Sequence, residues 1–309
     1  MNNSITSPAS PQTGLIKAVF GRHYLAELAD GEILECVPRG KKSEVACGDQ
    51  VEILRSSDNQ GVIESTLPRR SLLYRSDAYR QKIIAANVTQ IICVVAVEPA
   101  FSDELLARCL IAAHDQNLQV LIILNKCDLP AQAARATLAP YQHIGYRVLE
   151  LSAKQDAAPL RPLLQGHTSV LVGQSGMGKS TLINSLIPDA QVATREISTA
   201  LDSGKHTTTH ARLYHIDSKS NLIDCPGVQM FGLHHLSLGE IESGFIEFAP
   251  YLGACRFHNC SHTHEPGCAL LNAVAEGIIN PRRMKLFQEI SRPHAGPYIS
   301  PKNSKNSAR

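Results

Sequence analysis

Four stretches of this chain carry residue types and spacings that could do chemistry. The first is Gly173-Gln174-Ser175-Gly176-Met177-Gly178-Lys179-Ser180-Thr181, between the apolar run Val170-Leu171-Val172 and Leu182-Ile183-Asn184. Strand, glycine-rich loop and helix in that order turn backbone N–H groups inward around phosphates and add the positive end of a helix. In this pattern Lys179 reaches the β- and γ-phosphates and the Ser180 hydroxyl ligates Mg²⁺. The second stretch is Asn125-Lys126-Cys127-Asp128, directly after Leu121-Ile-Ile-Leu124. A carboxylate at that strand end can accept two hydrogen bonds, from guanine N1–H and the exocyclic amine, a pair that adenine lacks. Asn125 is expected to brace the loop and meet N7, and the stem of Lys126 to lie over the base. Ser152-Ala153-Lys154, at the end of the run Tyr146 to Leu151, fits a companion loop that offers a backbone N–H to guanine O6. GTP is therefore expected over ATP.

The third stretch is Asn221-Leu-Ile-Asp224-Cys225-Pro226-Gly227. Asp224 at a strand end is placed to hold Mg²⁺ through water, and Gly227 to give its N–H to the γ-phosphate. Upstream, Gly204-Lys205-His206-Thr207-Thr208-Thr209 is expected to close on Mg²⁺ when the γ-phosphate is present, with Thr208 assigned to the metal. Many GTPases carry a Gln just after Asp-x-x-Gly to orient the attacking water. Here Val228 cannot hydrogen-bond that water, and His206 is the candidate for the task. The fourth stretch, Cys255-Arg-Phe-His-Asn-Cys260-Ser-His262-Thr-His-Glu-Pro-Gly-Cys268, supplies three sulfurs and a nitrogen suited to a tetrahedral, structural Zn²⁺. His258 and His264 are competing nitrogen donors.

These stretches need a scaffold. The chain has 309 residues, enough for two or three domains, and its net charge of +2 places any RNA contact in local patches rather than in a global field. The N-terminus lacks a basic start and an apolar core, so no signal peptide is expected, and the run Ile91 to Val97 is too short to span a bilayer. Nine cysteines, three of them clustered with histidine, suggest a reduced, cytoplasmic setting with one metal site.

Residues 1–13 read as a disordered tail. Five short apolar runs follow between turn signals: Leu15 to Phe20, Tyr24 to Leu28, Ile33 to Val37, Val51 to Leu54 and Val62 to Ser65. They suit a small five-stranded OB-type barrel over residues 14–68, with an SH3-like barrel as the rival. Arg69 to Lys82 read as a basic connector. Continuous apolar runs at Ile91 to Val97 and Val120 to Leu124, with a helix over Asp103 to Asp115 capped by Ser102, predict a mainly parallel sheet with helices on both faces. That α/β P-loop domain is expected over 69–235, a helical zinc-binding module over 236–291 and a basic flexible tail over 292–309.

The base-reading motif precedes the phosphate loop, the reverse of the usual GTPase order. This order and the Cys/His cluster resemble the circularly permuted GTPases of the ribosome small subunit-dependent GTPase A (RsgA) family. The resemblance implies a GTP hydrolase stimulated by the small ribosomal subunit and acting late in maturation of that subunit. It also implies a structural Zn²⁺ on Cys255, Cys260, His262 and Cys268, and a catalytic role for the histidine at position 206. Lys205 stands where many relatives would carry Arg. Partners implied are the small subunit and its rRNA, GTP and GDP, with no membrane and a monomeric chain. Arg39, Lys41, Lys42, Arg69, Arg70, Arg75, Arg80, Arg282, Arg283 and Lys285 are candidate RNA contacts. An ATPase or kinase using the same loop is opposed by Asp128. A weakly catalytic RNA-binding scaffold is opposed by the intact set Lys179, Ser180 and Asp224.

Overall fold

The computed structural model describes residues 10–40, 44–76, 81–190, 192, 211–225 and 232–292. Two compact units, divided after Leu233, make up the chain. In the first, strands β1 (Gln12–Phe20), β2 (His23–Leu28), β3 (Ile33–Pro38), β4 (Gln50–Arg55) and β5 (Gln60–Thr66) form a closed barrel in the order β1-β2-β3-β5-β4, with β4 returning to β1. The parallel β3–β5 pair and this closure give the OB-type Greek key rather than its SH3-like rival. Alternation places Ile16, Tyr24, Ala26, Leu34, Val51, Ile53 and Ile63 inside. β1 begins at Gln12, inside the stretch read as a tail, because Gln12 pairs with Ile53 and Thr13 with Glu52.

The basic connector is instead a hairpin, β6 (Leu72–Ser76) with β7 (Gln81–Ala86). Leu73, Ile84 and Ala85 are buried, and this short apolar alternation is hidden in the sequence by the arginines around it.

The nucleotide-site sheet contains β8 (Gln90–Ala96), β9 (Gln119–Asn125), β10 (Arg147–Glu150), β11 (Thr168–Val172), β12 (Arg212–His215) and β13 (Asn221–Asp224), ordered β10-β9-β8-β11-β13-β12. Every pair is parallel except β12–β13. All of β8 is buried, as expected of a strand covered on both faces. Ile92 and Val94 pack with Leu160, Leu164, Leu182 and Leu186 of the segments around α3 (Arg161–Leu164) and α4 (Lys179–Leu186). Cys93 and Val95 face Leu105, Leu106 and Cys109 of α1 (Asp103–Asp115), which Ser102 caps by accepting from the Leu105 N–H at 3.1 Å. Helix α2 (Gln132–His143) follows the base-reading motif.

A buried ion pair closes the barrel at its base. Asp49 is fully buried, and its two carboxylate oxygens accept from Nε and an Nη of Arg69, each at 2.7 Å. The Ala46 N–H donates to Asp49 Oδ2 at 2.7 Å, and the Asp49 carbonyl accepts from Ile16 at 2.8 Å. Arg69 therefore serves the fold, with its side chain 20% exposed.

The second unit is built from α5 (Leu238–Ser243), a 3-10 segment (Ile246–Tyr251), α6 (Ala269–Ala275) and α7 (Pro281–Ser291). Phe245, Phe248 and Phe287 form its centre, with ring centroids 5.0 to 5.5 Å apart. Arg283 is 1% exposed, holds Glu247 through Nε at 2.7 Å and lies 4.6 Å over the Phe245 ring, so it is withdrawn from the candidate RNA contacts. Among the described residues no helix is long and apolar enough to cross a membrane.

The Asp49–Arg69 pair gives a direct expectation. Arg69→Met strands a buried carboxylate and should lower stability by roughly 3–5 kcal/mol. Arg69→Met with Asp49→Ala should recover part of that loss in denaturant unfolding of the same protein, the remainder being the Ala46 N–H left without its acceptor. A double variant no better than Arg69→Met alone would contradict the pairing.

Candidate nucleotide and metal sites

The phosphate loop runs from β11 into α4. Gly173 has φ +147°, and a Cβ there would lie 2.2 Å from the Val94 carbonyl oxygen. Gly178 has φ +90°, and a Cβ there would lie 2.3 Å from Asn125 Nδ2. Both positions demand glycine by backbone conformation and by close approach. Gly178 is also the N-cap of α4 and contributes no side-chain cap, so the first-turn N–H groups keep their donor capacity. The Lys179 ammonium donates to the Gly173 and Gln174 carbonyls at 2.6 and 2.8 Å. Gln174 is tied to the entry of α1 through its side-chain oxygen, which accepts from Ser102 N–H at 2.6 Å. Met177 is buried in the core beneath the loop, Ser175 is exposed, and Gly176, Ser180 and Thr181 are half-buried.

Asn125 ends β9 and is 2% exposed. Its Nδ2 donates to the Met177 carbonyl at 2.8 Å. Its Oδ1 accepts from Lys126 N–H at 2.8 Å and Ala153 N–H at 2.9 Å. One side chain thus binds the phosphate loop, the base-reading turn and the Ser152-Ala153-Lys154 loop together. The Ala153 N–H is spent on this brace. Lys126 adopts φ +64° and sends its ammonium to the Glu98 carbonyl at 2.6 Å. The ladder continues past the strand ends, with Leu151 N–H donating to Leu124 O at 3.0 Å and Cys127 N–H to Leu151 O at 3.1 Å. Asp128 projects from this turn, exposed, with the Ser152 hydroxyl beside it holding its carboxyl below the usual range.

Asp224 closes β13, 7% exposed, in register with Leu171 of β11. Burial pushes its carboxyl up, and burial pushes the Lys179 ammonium down. In each case the opposite charge of the other group works against burial. A cation at the start of α4 and an anion at the end of β13 are thus both largely removed from water and feel one another's charge. His206, Thr208 and Gly227, with the whole Gly204 to Thr209 segment and Val228, lie outside the described residues, as do Lys41 and Lys42.

In the second unit one ligand atom each from Cys255, Cys260, His262 and Cys268 lies within 4.8 Å of every other. Cys255 Sγ is 3.9 Å from Cys268 Sγ, and His262 Nδ1 is 3.6 and 3.3 Å from these two sulfurs. Metal–ligand bonds of about 2.3 Å to sulfur and 2.0–2.1 Å to nitrogen in a tetrahedron require separations of about 3.5–3.8 Å. The separations of 3.3 to 3.9 Å lie within a few tenths of an ångström of that requirement. Nδ1 is the inward nitrogen, because Nε2 of His262 points to Glu242 Oε1 at 3.2 Å. His258 and His264 are not in the cluster, and His264 Nδ1 instead meets Thr263 Oγ1 at 2.9 Å. At Cys268 burial opposes the thiolate, but the Leu271 N–H and the neighbouring His262, Cys260 and Cys255 side chains outweigh it and lower the pKa. Ala269 N–H donates to Cys255 Sγ at 3.3 Å and Leu271 N–H to Cys268 Sγ at 3.5 Å, so the start of α6 faces the sulfurs.

Two supports of the cluster carry no clear sequence signal. Glu242 lies on α5, remote in the chain from His262. Glu265 accepts from the N–H groups of Ser261 at 2.8 Å and of Thr263 and His264 at 3.1 Å, which fixes the tight turn around His262, φ +58°. Only its place between His262 and Cys268 could have suggested that role.

With this geometry in hand, the relatives are informative. Residues 66–234 match the family model described as RsgA GTPase. "Small ribosomal subunit biogenesis GTPase RsgA" of Nitrosospira multiformis is 56% identical over 93% of this chain and 92% of its own length. The protein of the same name from Nitrosomonas europaea is 54% identical over 90% of each chain. Among solved structures, YjeQ from Thermotoga maritima superposes with a TM-score of 0.71 at 27% identity, covering 93% of this chain and 99% of its own. YloQ, described as a circularly permuted GTPase, gives 0.68 at 26% identity over 93% and 96%. A matching domain model, identity above one half along nine-tenths of the chain, and the permuted motif order all agree: this chain belongs to the RsgA GTPase family.

Proposed function

We propose that this chain hydrolyses GTP to GDP and phosphate, is stimulated by the small ribosomal subunit, and acts late in the maturation of that subunit. The observation that carries the reading is the triple brace of Asn125. It brings a guanine-selecting carboxylate, Asp128, and a phosphate-binding lysine, Lys179, to one mouth of one sheet, although the chain order is reversed. The relatives named as small-subunit biogenesis GTPases support the biological setting. We read residues 12–68 as the barrel, 69–235 as the GTPase domain and 236–291 as the zinc module, with 292–309 as a basic tail, and the protein as a cytoplasmic monomer.

Asp128 accepts the guanine N1–H and amine, and Ser152 orients it. The backbone N–H groups from Gly173 to Thr181 surround the phosphates, and Lys179 leaves its carbonyl partners to meet the β- and γ-phosphates. Because Lys179 and Asp224 are both drawn out of water, their charges act at short range on the ligand with little screening. Ser180, Asp224 and Thr208 would hold Mg²⁺, which would supply neutralisation of the phosphate charge. Gly227 gives an N–H to the γ-phosphate, and His206 orients the attacking water in place of the glutamine that Val228 replaces. Cys255, Cys260, His262 and Cys268 would hold one Zn²⁺. With four protein ligands no position is left for substrate, so the metal is structural. Arg39, which pairs with Glu64 but stays 71% exposed, is the barrel's described candidate for a phosphate contact.

Turnover of GTP and ATP by the full chain, with and without small subunits, tests the reading. GTP hydrolysis should rise on adding subunits and ATP should not compete. His206→Ala should cut kcat by about 10²-fold or more and spare GTP affinity. Indifference to subunits, or equal use of ATP, would overturn the function, and equal loss of kcat and affinity would remove His206 from catalysis. Metal analysis gives a second test. The purified chain should contain one zinc, and a strong chelator should unfold residues 234–292 while GTP binding persists. A C-terminal unit still folded after complete chelation would rule out the structural metal.

A further inference from the structure

The barrel and the nucleotide-site sheet form one hydrogen-bonded surface, and the seam lies on the hairpin that carries Asp224. β1 pairs with β4 over Gln12 to Leu15 and meets β12 at Ala18↔Arg212, and between these its pairing with β2 shifts register, from Ile16 to Ala18. Arg212 in turn stands opposite Asp224 on β13. Ala18, Arg212 and Asp224 thus form one row across three strands, and Val19 N–H donates to Ala211 O at 3.3 Å beside it.

Side chains fasten the seam again at the other end of the hairpin, three residues along each strand from Arg212 and Asp224. Glu27 of β2 accepts from Lys17 at 3.1 Å and meets His215 Nε2, on β12, at 2.5 Å. The other ring nitrogen of His215 is 2.7 Å from Asn221 Oδ1, on β13. Asn221 Nδ2 reaches Thr168 Oγ1 at 3.3 Å, at the start of β11, the strand that ends in the phosphate loop. Below Asp224 the barrel turn at Gly48 presses on the same strand. A Cβ on Gly48 would lie 3.3 Å from Ile223 Cδ1 and 2.3 Å from the Ala86 carbonyl oxygen, so backbone alone fits there.

We propose that Glu27 and His215 are positioning residues of the subunit-stimulated reaction: they lock the barrel to the β12–β13 hairpin, so that a ribosomal partner gripping the barrel acts on Asp224. This rests on the stimulated hydrolysis described above. His215 is 40% and Glu27 18% exposed, and a pair that water reaches contributes modestly to folding. Its value lies in adding a second tie between barrel and hairpin to the backbone row at Ala18 and Arg212.

The test uses the full chain with His215→Leu, Glu27→Gln, His215→Gln and Lys17→Met. Three quantities are measured: unstimulated turnover, small-subunit binding with a non-hydrolysable GTP analogue, and turnover at saturating subunits. His215→Leu and Glu27→Gln should keep unstimulated turnover and binding but lose about fivefold or more of the stimulated rate, the lower bound of ordinary coupling between sites. His215→Gln, whose amide can still donate to Glu27, should recover part of the loss. Lys17→Met, which removes the partner of Glu27 that does not touch β12, should remain stimulated. Normal stimulation of both uncoupling variants overturns the proposal, as does a loss that tracks subunit binding or recurs in Lys17→Met. A wild-type chain that subunits fail to stimulate overturns the functional reading as well, which the variants alone do not.

Discussion

Two loops from distant parts of the chain must meet at the end of one buried strand, and the amide of Asn125 is the group that satisfies both. Its carbonyl oxygen takes two backbone N–H groups and its nitrogen gives one hydrogen bond to Met177. Removing it would leave one buried acceptor and two donors without partners, each costing about 1–3 kcal/mol. The closeness of the brace also explains a residue choice elsewhere, since Gly178 has no room for a side chain against Asn125. The turn that carries Asp128 and the loop that carries Lys179 are therefore fastened together before any ligand arrives.

The permuted order places new neighbours around this constant site. The strand before Asp224 becomes a seam for the barrel, and the chain after Gly227 enters the unit that holds the Cys/His cluster. That cluster rests on its own internal logic: an aromatic centre of Phe245, Phe248 and Phe287, a histidine oriented by Glu242, and a turn drawn tight by Glu265.

Much of this was legible in the residues. Gly173 to Ser180, Asn125 to Asp128 and Cys255 to Cys268 are local patterns whose chemistry dictates their spacing. The continuous apolar runs of β8 and β9 announce a parallel sheet. What stayed hidden depended on contacts remote in sequence. Arg69 and Arg283 look like RNA-binding charges until burial pairs them with Asp49 and Glu247. The β6–β7 hairpin has apolar residues on one face but is dressed in arginines. Gln12 and Thr13 look like tail because their partners, Ile53 and Glu52, lie on another strand. The bridge from Glu27 to His215 spans most of the chain and leaves no local trace.

The central claim is that the carboxylate of Asp128 reads the same nucleotide whose phosphates the loop at Lys179 holds. Nucleotide choice by Asp128→Asn tests it most directly. The amide can donate to the C2 carbonyl of xanthine and still accept from a ring N–H, but it faces the guanine amine with the wrong polarity. The account predicts that the variant loses GTP by about 10²-fold or more and hydrolyses xanthosine triphosphate in its place. A variant that keeps its preference for GTP would contradict it.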